Sequence, residues 1–141
     1  MLLFAKIIYH FHFGYRNIIS WHNLLENRME DLDLQRIHPF EILQYEEDFF
    51  GLYFPIHDRY EIFDDLELEN SSATWVDIIE FYLENELTDL QGQFSYEPNE
   101  ESCELRGCFN DIKEFVLNFR PLYFNDDQLT LLIQEMQENW Y

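Results

Sequence analysis

PFEILQYEEDFFGLYFPI, residues 39 to 56, reads as two β-strands, PFEILQYE and FFGLYFPI, joined by a turn around Glu46, Glu47 and Asp48. Phe50, Leu52, Phe54 and Ile56 recur at every second position and share one face, while Phe49 and Tyr53 decorate the other. With both faces apolar, the second strand is expected to be central in a sheet. Pro55 fits only near its end, because proline has no N–H to donate to the ladder.

Working outward, HDRYEIFDDLELENSSA (residues 57 to 73) loses clean periodicity and reads as a long acidic connection. TWVDIIEFYLENELTDL (74 to 90) is the clearest helix. Thr74 is expected to cap it with Asp77 in support, and Trp75, Ile78, Ile79, Tyr82, Leu83 and Leu87 fall at helical spacing. Trp75 is expected to anchor the core from the helix start. The opposite face carries Asp77, Glu80, Glu84 and Glu86 with no lysine or arginine four residues away, so pairing along the helix cannot neutralise them. QFSYEPNEESCELRGC (93 to 108) reads as a second hairpin, with Phe94 and Tyr96 alternating before Pro98 and Asn99, and Cys103 and Leu105 after. Asn110 is expected to cap a helix that ends at Pro121, and a last helix is expected from Asn125 with Asp126 and Asp127 in its first turn. The order β-β-α-β-β-α-α predicts an α+β, two-layer domain: an antiparallel sheet with helices packed on one face.

Charge bounds the function. The chain of 141 residues carries 29 acids against 8 bases, a net charge of -21, yet is 47% hydrophobic and 18% aromatic. A disordered acidic tail would lack those aromatics, so this is a folded acidic protein. Self-repulsion costs it stability, which makes sense if its partner is strongly cationic. The imbalance begins at Met29: residues 1 to 28 hold Lys6, Arg16 and Arg28 against Glu26 alone, and every other acid lies beyond. The opening stretch is apolar, but His10, His12, Arg16 and His22 interrupt it, so neither a membrane span nor a secretory signal is expected. It reads as translated upstream sequence, as an added element packing on the domain, or as a membrane-associating segment. Residues 29 to 141 form the expected single domain. Cys103 and Cys108 have no further donors at zinc-site spacing, so no metal is expected, and the chain reads as cytoplasmic.

Could the acids be catalytic? No Gly-rich phosphate loop, GxSxG or HExxH occurs, and among so many acids proximity means little. No catalytic residue and no cofactor is expected. His38 and His57, which flank the first hairpin, read as satisfied structural histidines.

From Pro39 to Met136 the chain resembles the bacterial family catalogued as immunity protein 51, antidotes encoded beside polymorphic or contact-dependent toxins. The resemblance is carried by Pro39-Phe40 before the first strand, the Trp-led helix TWVDIIEFYLENELTDL, the hairpin FSYEPNEESC and the helix DIKEFVLNF. It implies a cytosolic protein that neutralises a cognate toxin. A nuclease-type toxin needs a positively charged substrate cleft, which an acidic protein can plug. Asp64, Asp65, Glu67 and Glu69 before the helix, with Glu97, Glu100 and Glu101 on the hairpin, are the expected partner-binding residues, because neither group has local counter-charges. Direct nucleic-acid binding is not expected. Two other readings stay open: an acidic nucleic-acid mimic that blocks a DNA- or RNA-binding protein, and a carboxylate-based hydrolase.

Overall fold

The structure, a computed structural model, describes residues 37 to 140. The expectations for residues 1 to 28 and for the boundary at Met29 lie outside the described residues.

Strands β1 (Glu41–Glu46) and β2 (Phe49–Pro55) form the first hairpin, and β3 (Ser95–Pro98) and β4 (Ser102–Gly107) the second. All pairs are antiparallel in the order β1-β2-β4-β3, so β2 is central as its sequence requires. Ile42 sits opposite Leu52, Leu52 opposite Leu105, and Phe54 opposite Cys103. These residues and Phe50 are fully buried on one face of the sheet, beneath the helices.

Among the described residues the α-helices are α1 (Tyr60–Asp65), α2 (Ser72–Glu86), α3 (Phe109–Tyr123) and α4 (Asp126–Trp140). The α+β class holds, but the element order is β-β-α-α-β-β-α-α, because α1 interrupts the stretch expected to be a plain connection. One and a half turns leave no periodic signal, and helices so short depend on tertiary packing. Here Ile62 and Phe63 supply it from buried positions.

Helix α2 starts two residues before the expected cap. Ser71, in extended conformation, accepts the Thr74 N–H on its Oγ at 3.2 Å, so Ser71 and not Thr74 is the N-cap. Helix α3 also differs. Asp48, in the β1–β2 turn, accepts the Phe109 N–H at 3.2 Å and does the work expected of Asn110. Pro121 lies inside the last turn instead of ending the helix. A proline there forfeits one backbone hydrogen bond, while Tyr123 in the same turn is fully buried. Helix α4 begins as expected, with Asn125 Oδ1 accepting the Gln128 N–H at 3.0 Å.

Helices α2 and α3 pack on the sheet, and α4 packs chiefly on those two. Trp75 sits where the layers meet, with no exposed surface. Its ring lies 5.2 Å from Phe54, 5.2 Å from Phe63 and 5.8 Å from Tyr123. Its indole N–H donates to Asn70 Oδ1 at 3.0 Å. His38 and His57 are both exposed, the first just before β1 and the second opening a 3-10 turn, His57–Arg59.

On the other face of the sheet, Gly51 makes room for a compact polar cluster. A Cβ there would stand 2.9 Å from the Tyr45 ring and overlap the Glu104 carboxylate. The Tyr45 hydroxyl donates to Glu104 at 2.5 Å, and Arg106 lies 4.5 Å over the Tyr45 ring while donating to Glu104 at 3.2 Å. Burial, then the hydrogen bond and charge of Glu104, pushes the Tyr45 phenol up to about 12, against a smaller opposing effect of Arg106.

Candidate partner-binding surface

The expected partner-binding acids fall into three places. Asp64 and Asp65 project from the exposed end of α1. Glu67 follows with φ 55°, in the left-handed region. Its N–H bonds the Asp64 carbonyl at 3.1 Å, and the Leu68 N–H reaches back to Phe63 at 2.9 Å, so the turn is closed by backbone bonds while Leu66 and Leu68 pack against the core. A side chain costs about 1 to 2 kcal/mol in that conformation. Glu67→Gly is therefore expected to raise stability by about 0.5 to 1 kcal/mol in urea denaturation, after the entropy glycine returns to the unfolded chain. A lower midpoint would show that the Glu67 side chain makes a favourable contact.

Glu69, Glu100 and Glu101 belong together. The Ser72 hydroxyl is shared between the carbonyls of Asn99 and Ser102, stitching the start of α2 to the turn of the second hairpin. Asn99 Oδ1 accepts the N–H groups of Glu101 and Ser102 at 2.9 and 2.8 Å, which fixes that turn. The Ile56 N–H donates to the Glu101 carbonyl at 3.1 Å, and Asn70 Nδ2 to the Ile56 carbonyl at 2.7 Å. The acids are thus mounted on an ordered frame. Glu69 and Glu100 line a shallow concavity of about 430 Å³, floored by Asn70, Ser71, Ser72 and Asn99.

Glu97 does not belong to this surface. It lies on β3 opposite Glu104, and its carboxylate pairs with Arg106 at 3.8 Å. The expectation that it shares the hairpin tip and lacks a counter-charge is corrected: in a strand, residue 97 points along the sheet face that also carries 104 and 106.

Sequence reading also missed what the bases do. Among the described residues they are Arg59, Arg106, Lys113 and Arg120. Arg59 is bound to Asp126 at the start of α4. Arg106 is held by Glu104, Glu97 and Tyr45. Arg120 donates to the His38 carbonyl at 2.9 Å and lies 4.8 Å over the Phe124 ring. Lys113 is not free either.

Comparison with protein-family models, with curated proteins and with solved structures found no match.

A further crowding of like charge lies at the start of α3. The Glu114 carboxyl is raised above the ordinary carboxylate range by lost solvation and by the hydrogen bond and charge of Asp89, with Asp111 adding to it. On α2, Glu80 faces the Tyr96 hydroxyl, and burial together with that carboxylate pushes the phenol pKa up. Among the described residues no group of three or more His, Cys, Asp or Glu is arranged to hold a metal ion. No helix among them is long and apolar enough to cross a membrane. Cys103 and Cys108 are free thiols, the first buried.

Proposed function

We propose that this protein is an immunity protein that neutralises one cognate bacterial toxin, a cationic nuclease-type enzyme, by stoichiometric occlusion of its substrate site in the cytoplasm. One observation carries the reading: Arg59 pairs with Asp126, Arg106 with Glu97 and Glu104, and Arg120 bonds the His38 carbonyl, so none of the three is spent on the outward-facing acids of α1, the turn after it and the turn of the second hairpin. The resemblance to immunity protein 51 over residues 39 to 136 supports the same assignment. A surface so charged, with so little to cancel it, attracts a basic cleft from a distance and speeds association by ~10 to 1,000-fold at low salt. Occlusion requires no reacting group, only a rigid acidic face that excludes the nucleic-acid backbone.

Replacing Asp64, Asp65 and Glu67 by Asn, Asn and Gln tests the reading against the protein encoded immediately upstream of this gene. The fold is expected to persist, because these side chains are exposed and their mutual repulsion is relieved. Association is expected to slow by about tenfold at low salt, with a shallower salt dependence. An unchanged association rate in dilute buffer would remove this surface from the interface.

A further inference from the structure

A trough of about 400 Å³ runs between α2, α3 and α4, and Glu86 among its lining residues stands about 21 Å along α2 from Ser72, which bonds the turn of the second hairpin. Leu122, Leu131 and Leu132 give it an apolar lining with Tyr82, and Glu86 and Glu135 stand among the lining residues. No basic residue lines it. Leu131 is 55% exposed although it sits beside the buried Leu132, so the trough presents apolar surface to solvent. A surface complementary to it is apolar on one side and cationic at the edges.

We propose that this trough receives the apolar face of a lysine- or arginine-bearing helix of the toxin, whose bases reach Glu86 and Glu135. The identity of the partner rests on the reading under Proposed function; the chemistry of the occupant rests on the trough. Charge complementarity selects this occupant over a second copy of the chain, which would bring two bodies of net charge -21 together with Glu86 and Glu135 of each at the contact. The two regions divide the work. Exposed acids on the α1–hairpin side steer encounter and set the association rate, whereas desolvated apolar side chains in a groove hold the complex and set its lifetime.

The test uses the full chain and two synthetic peptides of about five helical turns made of leucine and lysine in equal composition. One carries its leucines on a single helical face and the other has them scattered. In ~1 M salt, where screening shortens to ~3 Å, the striped peptide is expected to bind and the scattered one to fail. Leu131→Glu is expected to weaken the striped peptide at least about tenfold, and Leu131→Ala by less, each with the wild-type melting temperature because residue 131 is exposed on its helix. Equal binding of both peptides, or an unchanged affinity in Leu131→Glu, overturns the proposal. So does a concentration-dependent dimer that Leu131→Glu dissolves, which would give the trough to a second copy. A photo-crosslinker at position 131 that couples to residues 1 to 28 of the same chain overturns it as well. None of these readouts involves the triple acid substitution, so the trough and the proposed function fail separately.

Discussion

Trp75→Ala is expected to cost about 3 to 5 kcal/mol, the range for deleting a fully buried large aromatic. That is a large part of the ~5 to 15 kcal/mol that a domain has available. The size follows from position. The indole lies between Phe54 of the central strand, Phe63 of α1 and Tyr123 of α3, so one cavity would loosen three elements. It would also leave Asn70 Oδ1 without its 3.0 Å donor, in the segment that carries Glu69 into the acidic concavity. Urea denaturation followed by far-UV circular dichroism measures the loss, and Trp75→Phe, which keeps a ring but drops the N–H, separates packing from the Asn70 bond. A loss under about 1 kcal/mol, ordinary for a surface substitution, would remove Trp75 from the centre of the core.

Alkali is expected to unfold the protein early. Burial, with the negative charge of Glu104 adding to it, pushes the Cys103 thiol from 9.0 up to about 12. The Tyr45 phenol rises to about 12, and Tyr96 and Tyr123 shift in the same direction, each chiefly through burial. All are neutral when protonated and are held so by the fold. Their contribution to stability is fully present below the unfolded-state values near 9 and 10, and it is lost as pH rises toward the folded-state values. Above about pH 9 the Cys103 thiol alone removes up to ~1.4 kcal/mol per pH unit. Urea midpoints taken between about pH 8 and 11 should therefore fall steadily, and Cys103→Ala should give a shallower line from a lower start. A midpoint that stays level across this range would mean that the buried thiol and phenols ionise freely in the folded protein.

Much of the architecture was legible because aromatic and aliphatic residues alternate so regularly in the strands. Phe50, Leu52 and Phe54 announce both a strand and its buried face, and the Trp75–Leu83 stripe announces a helix. Helix α1 was not legible, since Ile62 and Phe63 become meaningful only against Trp75. Caps delivered from elsewhere were equally hidden: Asp48 and Phe109 are 61 residues apart. For the candidate site, the sequence located the acids but not their grouping. That Glu69 meets Glu100 depends on Ile56 and Ser72 docking to the hairpin turn, and that Glu97 meets Arg106 depends on strand register. The trough left one readable sign. Leu131 is a leucine off the Leu129–Leu132–Ile133–Met136 stripe, a residue the buried side of α4 does not use.

The strand order carries a consequence for biosynthesis. Phe50 to Pro55 pair with Ser102 to Gly107, so the middle of the sheet joins segments about 50 residues apart. At ~5 to 20 residues per second of translation, the first hairpin waits roughly 3 to 10 seconds for its partner to be made. Throughout that interval Phe50, Leu52 and Phe54 have no opposing strand on the β4 side and no α3 above them. The acids that follow these side chains, Asp58 through Glu69, are made early in that interval, and like charge of this kind opposes association between copies on adjacent ribosomes. The charge proposed to meet a cationic partner would then also oppose clumping of nascent copies on a polysome.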